Sequence, residues 1–360
     1  MKIFRRALLW LTGAISLIVL FGAGLLFLTN VSDFDLAGFK SENISFPHGG
    51  ATISGTLHLP HEDNPPLLVL VHGDGPQDRY AGGSLLPLMR VLLENGIAVY
   101  SWDKPGIGAS SGNWLDYSMQ DRSELAAQAV TKLSSHPDNR FASIGILGFS
   151  QAGWVLPGLA LRETAASHFI LVGGAVNWLR QGSYFTRIRL EQEGVSDGVI
   201  EQIIAEETRR NRDIKASAHS YEAYLSSFDG KGQPMSENRF NFVRKNMNSD
   251  ASETLRQVRK PFLTIHGSHD LNVDPEFNPQ EYRRLLAAGG ASTETVVIAN
   301  ATHGLLKADP FNYQLPDEMP IWTQAWFVLS GRNAYAPGAL DQILSWTLQA
   351  PGHTPTMTGG

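Results

Sequence analysis

Ile144-Gly-Ile-Leu-Gly-Phe-Ser-Gln-Ala-Gly-Trp154 is the stretch that decides the fold. A short apolar run (Ile144, Ile146, Leu147) ends in Gly148-Phe149-Ser150-Gln151-Ala152-Gly153, and a helix-compatible segment follows at once. This spells a strand that turns abruptly into a helix with a serine at its apex. A serine in that place is held in a strained backbone conformation, so the residues two positions to either side must be small. Gly148 and Ala152 meet that requirement, and Gly153 lets the helix pack close to the strand. The usual pattern is Gly-x-Ser-x-Gly, and here alanine, the next smallest residue, stands in the last place. A loop serine would satisfy so short a pattern as well, so its weight comes from the rest of the chain.

Working outward, strand and helix patterns alternate on both sides. Ile44 to Pro60 reads as a hairpin. Leu67 to Val71 is five consecutive apolar residues, the pattern of a strand buried on both faces of a parallel sheet. It runs into the tight turn His72-Gly-Asp-Gly-Pro76. Leu85 to Glu94 is helical in spacing, Ile97 to Trp102 is a strand, and Ser123 to Leu133 is a helix leading to the serine strand. Beyond it, Phe169 to Val172 is another buried strand. The alternation then stops until Lys260, and the charged, helically spaced residues between predict an inserted cap at about 176–258; an ordinary peripheral helical layer would read the same way. Phe262 to Ile265, the helix Gln280 to Ala288 and the strand Thr295 to Ile298 resume the pattern, Leu340 to Leu348 closes it, and the tail after Pro351 reads as disordered. The expectation is an α/β fold with a doubly wound, mostly parallel sheet. Ligands of such sheets bind outside the carboxyl ends of the strands.

Composition narrows the function. The chain has 360 residues, 42% of them hydrophobic, and a net charge of −6 without a basic block, so nucleic acid is not an expected partner. It contains no cysteine, which excludes disulfides, thiol chemistry and thiolate-held metal. At the start, Lys2, Arg5 and Arg6 precede Ala7 to Leu28, twenty-two residues without a charge. A spanning helix needs about 20 apolar residues and a signal-peptide core about 7–15. Residues 1–30 are therefore expected to be an uncleaved transmembrane anchor, with a cleaved signal peptide as the alternative. Either way the rest of the chain, 31–360, is expected outside the cytoplasm, on the periplasmic face of a bacterial inner membrane or released there.

A serine hydroxyl is a poor nucleophile and needs a base, which needs an orienting acid. Later strand ends supply both. Asp270 follows Pro261-Phe-Leu-Thr-Ile-His-Gly-Ser-His, and His303 follows Val296-Val-Ile-Ala-Asn-Ala-Thr. Asp274, four residues on, is a rival acid. His266 and His269 beside Asp270 could suggest a metal cluster, but no further ligands are evident and no metal or cofactor is expected. His72 reads as support for its turn. The glycines of Asp103 to Gly112 lack the spacing of a dinucleotide site. Trp322 and Trp326, at helical spacing, read as core.

The order Ser150, Asp270, His303 is that of the α/β-hydrolase triad, and the sequence resembles the α/β-hydrolase superfamily. It looks most like bacterial serine hydrolases of the esterase, dienelactone-hydrolase-like and prolyl-oligopeptidase-like branches. The resemblance covers roughly 45–348 and rests on six pieces in order. These are Ile53-Ser-Gly-Thr-Leu-His-Leu-Pro60, Val71-His-Gly-Asp-Gly-Pro76, Asp103-Lys-Pro-Gly-Ile-Gly-Ala-Ser110, the serine turn, the Gly-x-x-Asp turn ending at Asp270, and Thr302-His303-Gly304. It implies an α/β-hydrolase fold carrying an inserted helical cap, with Ser150 as nucleophile, His303 as base and acid, and Asp270 orienting it. The implied oxyanion hole is the backbone N–H of Gln151 and of Asp74. An aspartate carboxylate there would repel the oxyanion, so Asp74 must point away or pair with a cation, for which Arg79 is a candidate. The implied activity is hydrolysis of carboxylic esters or related small acyl compounds through an acyl-enzyme. A peptidase, an acyltransferase and a catalytically silent binding module on the same fold are the alternatives.

Overall fold

The computed structural model describes residues 29–136, 141–216, 220–226, 234–290 and 292–350. The expected anchor falls, as far as residue 28, outside the described residues, as does the tail after Pro351. Among the described residues no helix is long and apolar enough to cross a membrane.

Among the described residues eight strands form one sheet: β1 (Lys40–His48), β2 (Ala51–Leu59), β3 (Leu67–Val71), β4 (Ala98–Trp102), β5 (Ile144–Phe149), β6 (Ala166–Val172), β7 (Phe262–Gly267) and β8 (Thr293–Ile298). Their spatial order is β1-β2-β4-β3-β5-β6-β7-β8. The β1–β2 hairpin is antiparallel, β2 meets β4 antiparallel, and every later pairing is parallel. The run Leu67–Val71 lies between β4 and β5 with every side chain buried, as an all-apolar run in a central parallel strand must.

Helices cover both faces because the strands bury alternate residues on each. Leu67, Val69 and Val71 pack with Leu125 and Val130 of α2 (Met119–Ser134), Leu156 and Leu159 of α3 (Leu156–Ala160), and Tyr282 and Leu285 of a later helix, Phe277–Gly289. Leu68 and Leu70 face the opposite way, toward Leu88 and Met89 of α1 (Leu86–Glu94) and Ile343 of the last described helix, Ala339–Leu348. Each such side chain contributes roughly 1.5–3 kcal/mol on burial. That is the physical reason for three layers and two cores.

Between β6 and β7 the chain forms α4 (Trp178–Gln192), α5 (Asp197–Ala216), α6 (Tyr221–Ser226), α7 (Glu237–Asn246) and α8 (Ser252–Leu255). They carry a small core of their own, Ile214, Tyr224, Phe240 and Met247. The helix after β7, α9, is Phe277–Gly289, and two longer helices follow β8, α10 (Ile321–Ser330) and α11 (Ala339–Leu348). The helical spacing of Trp322 and Trp326 is realised in α10, but both are exposed rather than core, because the helix buries only Thr323.

The winding has one switch point. From β3 the chain crosses to β4 on one side, then returns to β5 on the other. Val71 pairs with Gly148, so the loops leaving β3 and β5 emerge side by side. In an open parallel sheet that crevice is where ligands bind.

Candidate active site

The serine turn forms as its sequence requires, with one difference. A 3-10 turn, Ser150–Trp154, follows β5 directly, and the α-helix begins only at Leu156, where Pro157 sits in its first turn. Ser150 has φ +50°, a region that costs a side-chain-bearing residue of order 1–3 kcal/mol. Ala152 is fully buried, and a Cβ on Gly148 would stand 2.7 Å from its own Cβ. The alanine thus fills the space that the turn leaves.

His303 reaches the site from the loop after β8. Its Nδ1 donates to Asp270 Oδ2 at 2.7 Å. The Asp270 carboxylate is buried, and its other oxygen accepts the N–H groups of Asn272 (2.7 Å) and Val273 (2.8 Å). The carbonyl of Asp270 also accepts from the Tyr184 hydroxyl of α4 at 2.8 Å. Three elements therefore fix this acid. Burial would lower the imidazole's pKa, but the charge and hydrogen bond of Asp270 outweigh it and raise His303 above its ordinary value. The backbone of Gly173, at the end of β6, passes so close that a Cβ would stand 2.9 Å from the His303 ring, and its φ of +61° suits glycine.

Asp274 is used differently. Its Oδ1 accepts the N–H groups of Glu276 (3.0 Å) and Phe277 (2.9 Å), which ends the loop and starts α9. It lines a separate cavity with Arg180 and Tyr184.

Ser150 and His303 line one cavity of about 560 Å³ together with Gly73, Asp74 and Gly75. Its other walls are largely apolar, including Leu85, Phe149, Val172, Leu306, Leu315 and Phe327. No hydrogen bond joins Ser150 to His303 among the described residues; in a resting site such contacts are often long and tighten with substrate. A Cβ on Gly73 would meet the Cβ of Ser150 at 3.2 Å, so the first loop lies directly against the serine.

Two cations beneath that loop, Lys104 buried and Arg122 half-buried, gave no sequence signal. Lys104 Nζ donates to the carbonyls of Gly73 (2.6 Å) and Gly75 (2.7 Å). Arg122, from α2, donates to the carbonyl of His72 (2.5 Å) and to the side chain of Gln151. A trans peptide points its N–H opposite to its C=O. Holding the Gly73 carbonyl toward Lys104 therefore turns the Asp74 N–H the other way. Lys104 is not among the cavity's lining residues, whereas Asp74 and Ser150 are. Burial, with the nearby Arg122 charge, pushes Lys104 well below its usual pKa; burial likewise brings Arg122 down to about 10. The amide of Gln151 lies in the first turn after β5, where helical N–H groups lack an intrahelical acceptor.

The Asp74 side chain pairs with Arg239 of α7, with N–O distances of 2.9 and 2.5 Å. Arg79, the candidate partner from the sequence, instead holds Asp103: its Nε and Nη2 donate at 3.0 and 2.6 Å, and its backbone N–H at 2.8 Å. Asp103 sits at the end of the neighbouring strand, nearer in space than Asp74 is. Burial would raise the Asp74 carboxyl, but Arg239 and Lys104 bring it down to about 2. His72 is buried, donates from Nε2 to the Trp102 carbonyl at 2.7 Å, and falls to about 4 by burial and the charge of Lys104. It props the turn. Among the described residues no group of three or more acidic or imidazole side chains could hold a metal ion.

This sheet order, with a strained serine turn at its switch point, defines an α/β-hydrolase fold. A family model for the alpha/beta hydrolase family matches residues 68–313. The chain belongs to that family and is an enzyme of the α/β-hydrolase class. Among solved structures it is similar to an esterase of Pyrococcus furiosus, at 15% identity over 86% of this chain and 90% of that one, with a TM-score of 0.53. DcsB, solved in complex with its substrate analogue, is similar at 16% identity over 86% and 98% of the two chains, with a TM-score of 0.53. No curated protein matches the chain in sequence.

Proposed function

We propose that the protein is a serine hydrolase that cleaves carboxylic esters with an apolar acyl or alcohol group. The observation that carries this reading is the hydrogen bond from His303 to the buried Asp270 carboxylate, beside a cavity that Ser150, at φ +50°, also lines. His303 accepts the Ser150 proton as the hydroxyl oxygen attacks the ester carbonyl. The negative oxygen of the tetrahedral intermediate is held by the N–H groups of Gln151 and Asp74, each such donor being worth about 10²–10³ in rate. His303 then gives its proton to the leaving alkoxide, an acyl-Ser150 ester remains, and water activated by His303 releases the acid. Leu85, Phe149, Leu306 and Phe327 among the walls suit an acyl or alcohol group without hydrogen-bonding atoms.

In this reading helices α4 to α8 form a cap, supported by the Tyr184 and Arg239 contacts to the loops at the strand ends. Residues 1–30 anchor the chain, with the catalytic part outside the cytoplasm. Replacing Ser150 by alanine tests the mechanism. Labelling by a fluorophosphonate should disappear, and hydrolysis of p-nitrophenyl acyl esters should fall about 10³-fold or more. A folded, fully active variant would refute it.

A further inference from the structure

Helix α10 is turned inside out. Its sequence, Ile321-Trp-Thr-Gln-Ala-Trp-Phe-Val-Leu-Ser330, carries no charge, and its one buried side chain is Thr323. Ile321 is 80% exposed, Trp322 61% and Trp326 53%. Among the described residues ten large apolar side chains are exposed, and six of them lie between Leu315 and Leu329. Scattered exposed apolar residues are ordinary, but a concentrated patch marks a surface that meets something apolar.

Position says what that is. Asn30 donates from its backbone N–H to the Leu329 carbonyl (2.9 Å) and from its side chain to the Ser330 carbonyl (3.0 Å). Just beyond, Arg332 pairs with the buried carboxylate of Asp33 at 2.5 Å, and Phe34 packs edge-on against Phe327 with ring centres 5.5 Å apart. The uncharged run Ala7 to Leu28 thus joins the described chain at the end of α10. Tryptophan is enriched at the interface between lipid headgroups and acyl chains, and a helix of ten residues is too short to span a bilayer and meets it only at that level. The inner side of α10 matters too, because Phe327 is a wall of the Ser150 cavity, as are Leu315 and Pro316 just before the helix.

We propose that the exposed face of α10, centred on Ile321, Trp322 and Trp326, docks on a lipid bilayer beside the chain's N-terminal apolar segment, and so turns the mouth of the Ser150 cavity toward the membrane. The substrate is then an acyl ester drawn from the lipid phase. The docking stands without the catalytic reading; the substrate route rests on it.

The full chain, reconstituted into phosphatidylcholine vesicles brominated on the acyl chains, tests the docking without reference to catalysis. Bromine quenches only those indoles that touch lipid. Wild type should lose more fluorescence than the Trp322→Phe/Trp326→Phe double variant, the difference corresponding to two of the chain's eight tryptophans. Equal fractional quenching in both proteins would overturn the proposal, and is the outcome if the N-terminal segment or a second copy covers the helix instead. For the substrate route, Trp322→Asp/Trp326→Asp should hydrolyse a long-chain ester carried in vesicles at least tenfold more slowly, yet a short water-soluble ester within twofold of wild type. A parallel loss on both esters, or on neither, would overturn the route. Fluorophosphonate labelling of wild type in detergent reports separately on the catalytic reading.

Discussion

Arg239 and Asp74, 165 residues apart in the chain, form a two-pronged ion pair that joins helix α7 to the loop lying against Ser150. Ser236 caps α7 by accepting the N–H of Arg239 itself, so the helix end and its cation are fixed together. The pair holds the Asp74 carboxylate toward the helices that lie between β6 and β7.

Removing the guanidinium should therefore harm the chemistry more than the fold. Arg239→Ala leaves the Asp74 carboxylate without its main partner, and turnover should fall about tenfold, the scale of coupled neighbouring groups. Combining it with Asp74→Asn should restore most of that loss. A thermodynamic cycle in kcat checks this; strictly additive losses would show that the two side chains act independently.

The two neighbouring aspartates should separate cleanly. Asp270→Asn removes the acceptor of His303 and should lower kcat by about 10⁴, the scale seen when a triad acid is replaced. Asp274→Asn should leave kcat within a fewfold. Its amide oxygen can still accept the N–H groups at the start of α9, so the change in stability should stay below about 1 kcal/mol. Steady-state kinetics and thermal unfolding of both variants check this.

Activity and stability should run oppositely with pH around His303. Its pKa is raised above the ordinary value near 6.5. As a base it must be neutral, so kcat/KM should rise with pH through a limb lying above 6.5. In Asp270→Asn, with the carboxylate charge gone, that limb should move to lower pH. The sign for stability is reversed: protonated His303 is favoured by folding, so its contribution is complete below about 6.5 and fades as pH rises through the folded value. A pH–rate profile of both proteins reads the first effect directly.

Lys104 should behave as a positioning residue. Lys104→Met keeps the length but frees the Gly73 and Gly75 carbonyls, and with them the direction of the Asp74 N–H. Loss of one oxyanion donor sets the scale at about 10²-fold in kcat with KM little changed. A purely structural role would lower the melting temperature and leave kcat of the folded fraction intact, so the two readouts together are decisive.

Much of this was legible in the residues. Runs such as Leu67 to Val71 read correctly as buried parallel strands, because a strand covered on both faces admits few polar side chains. The serine turn announced itself through Gly148 and Ala152, whose small size is a local steric demand. Other features were not legible. Arg79 lies five residues after Asp74 and was the natural partner to consider, yet it pairs with Asp103, since the loop folds it back over the end of β4. Trp322 and Trp326 have the spacing of core residues, and spacing alone does not say whether an apolar face turns inward or outward.

By itself the sequence determined the alternation of elements, the strained serine, and the chain order of serine, acid and histidine, all of which follow from local backbone geometry and short-range burial patterns. Only the tertiary structure decided that Asp270 rather than Asp274 meets His303, that Arg239 answers Asp74, that Lys104 and Arg122 set the loop beneath the serine, and that α10 is bare. Those outcomes depend on which strand ends and helices the winding of the sheet brings together, and contacts between residues far apart in the chain leave no periodicity to read.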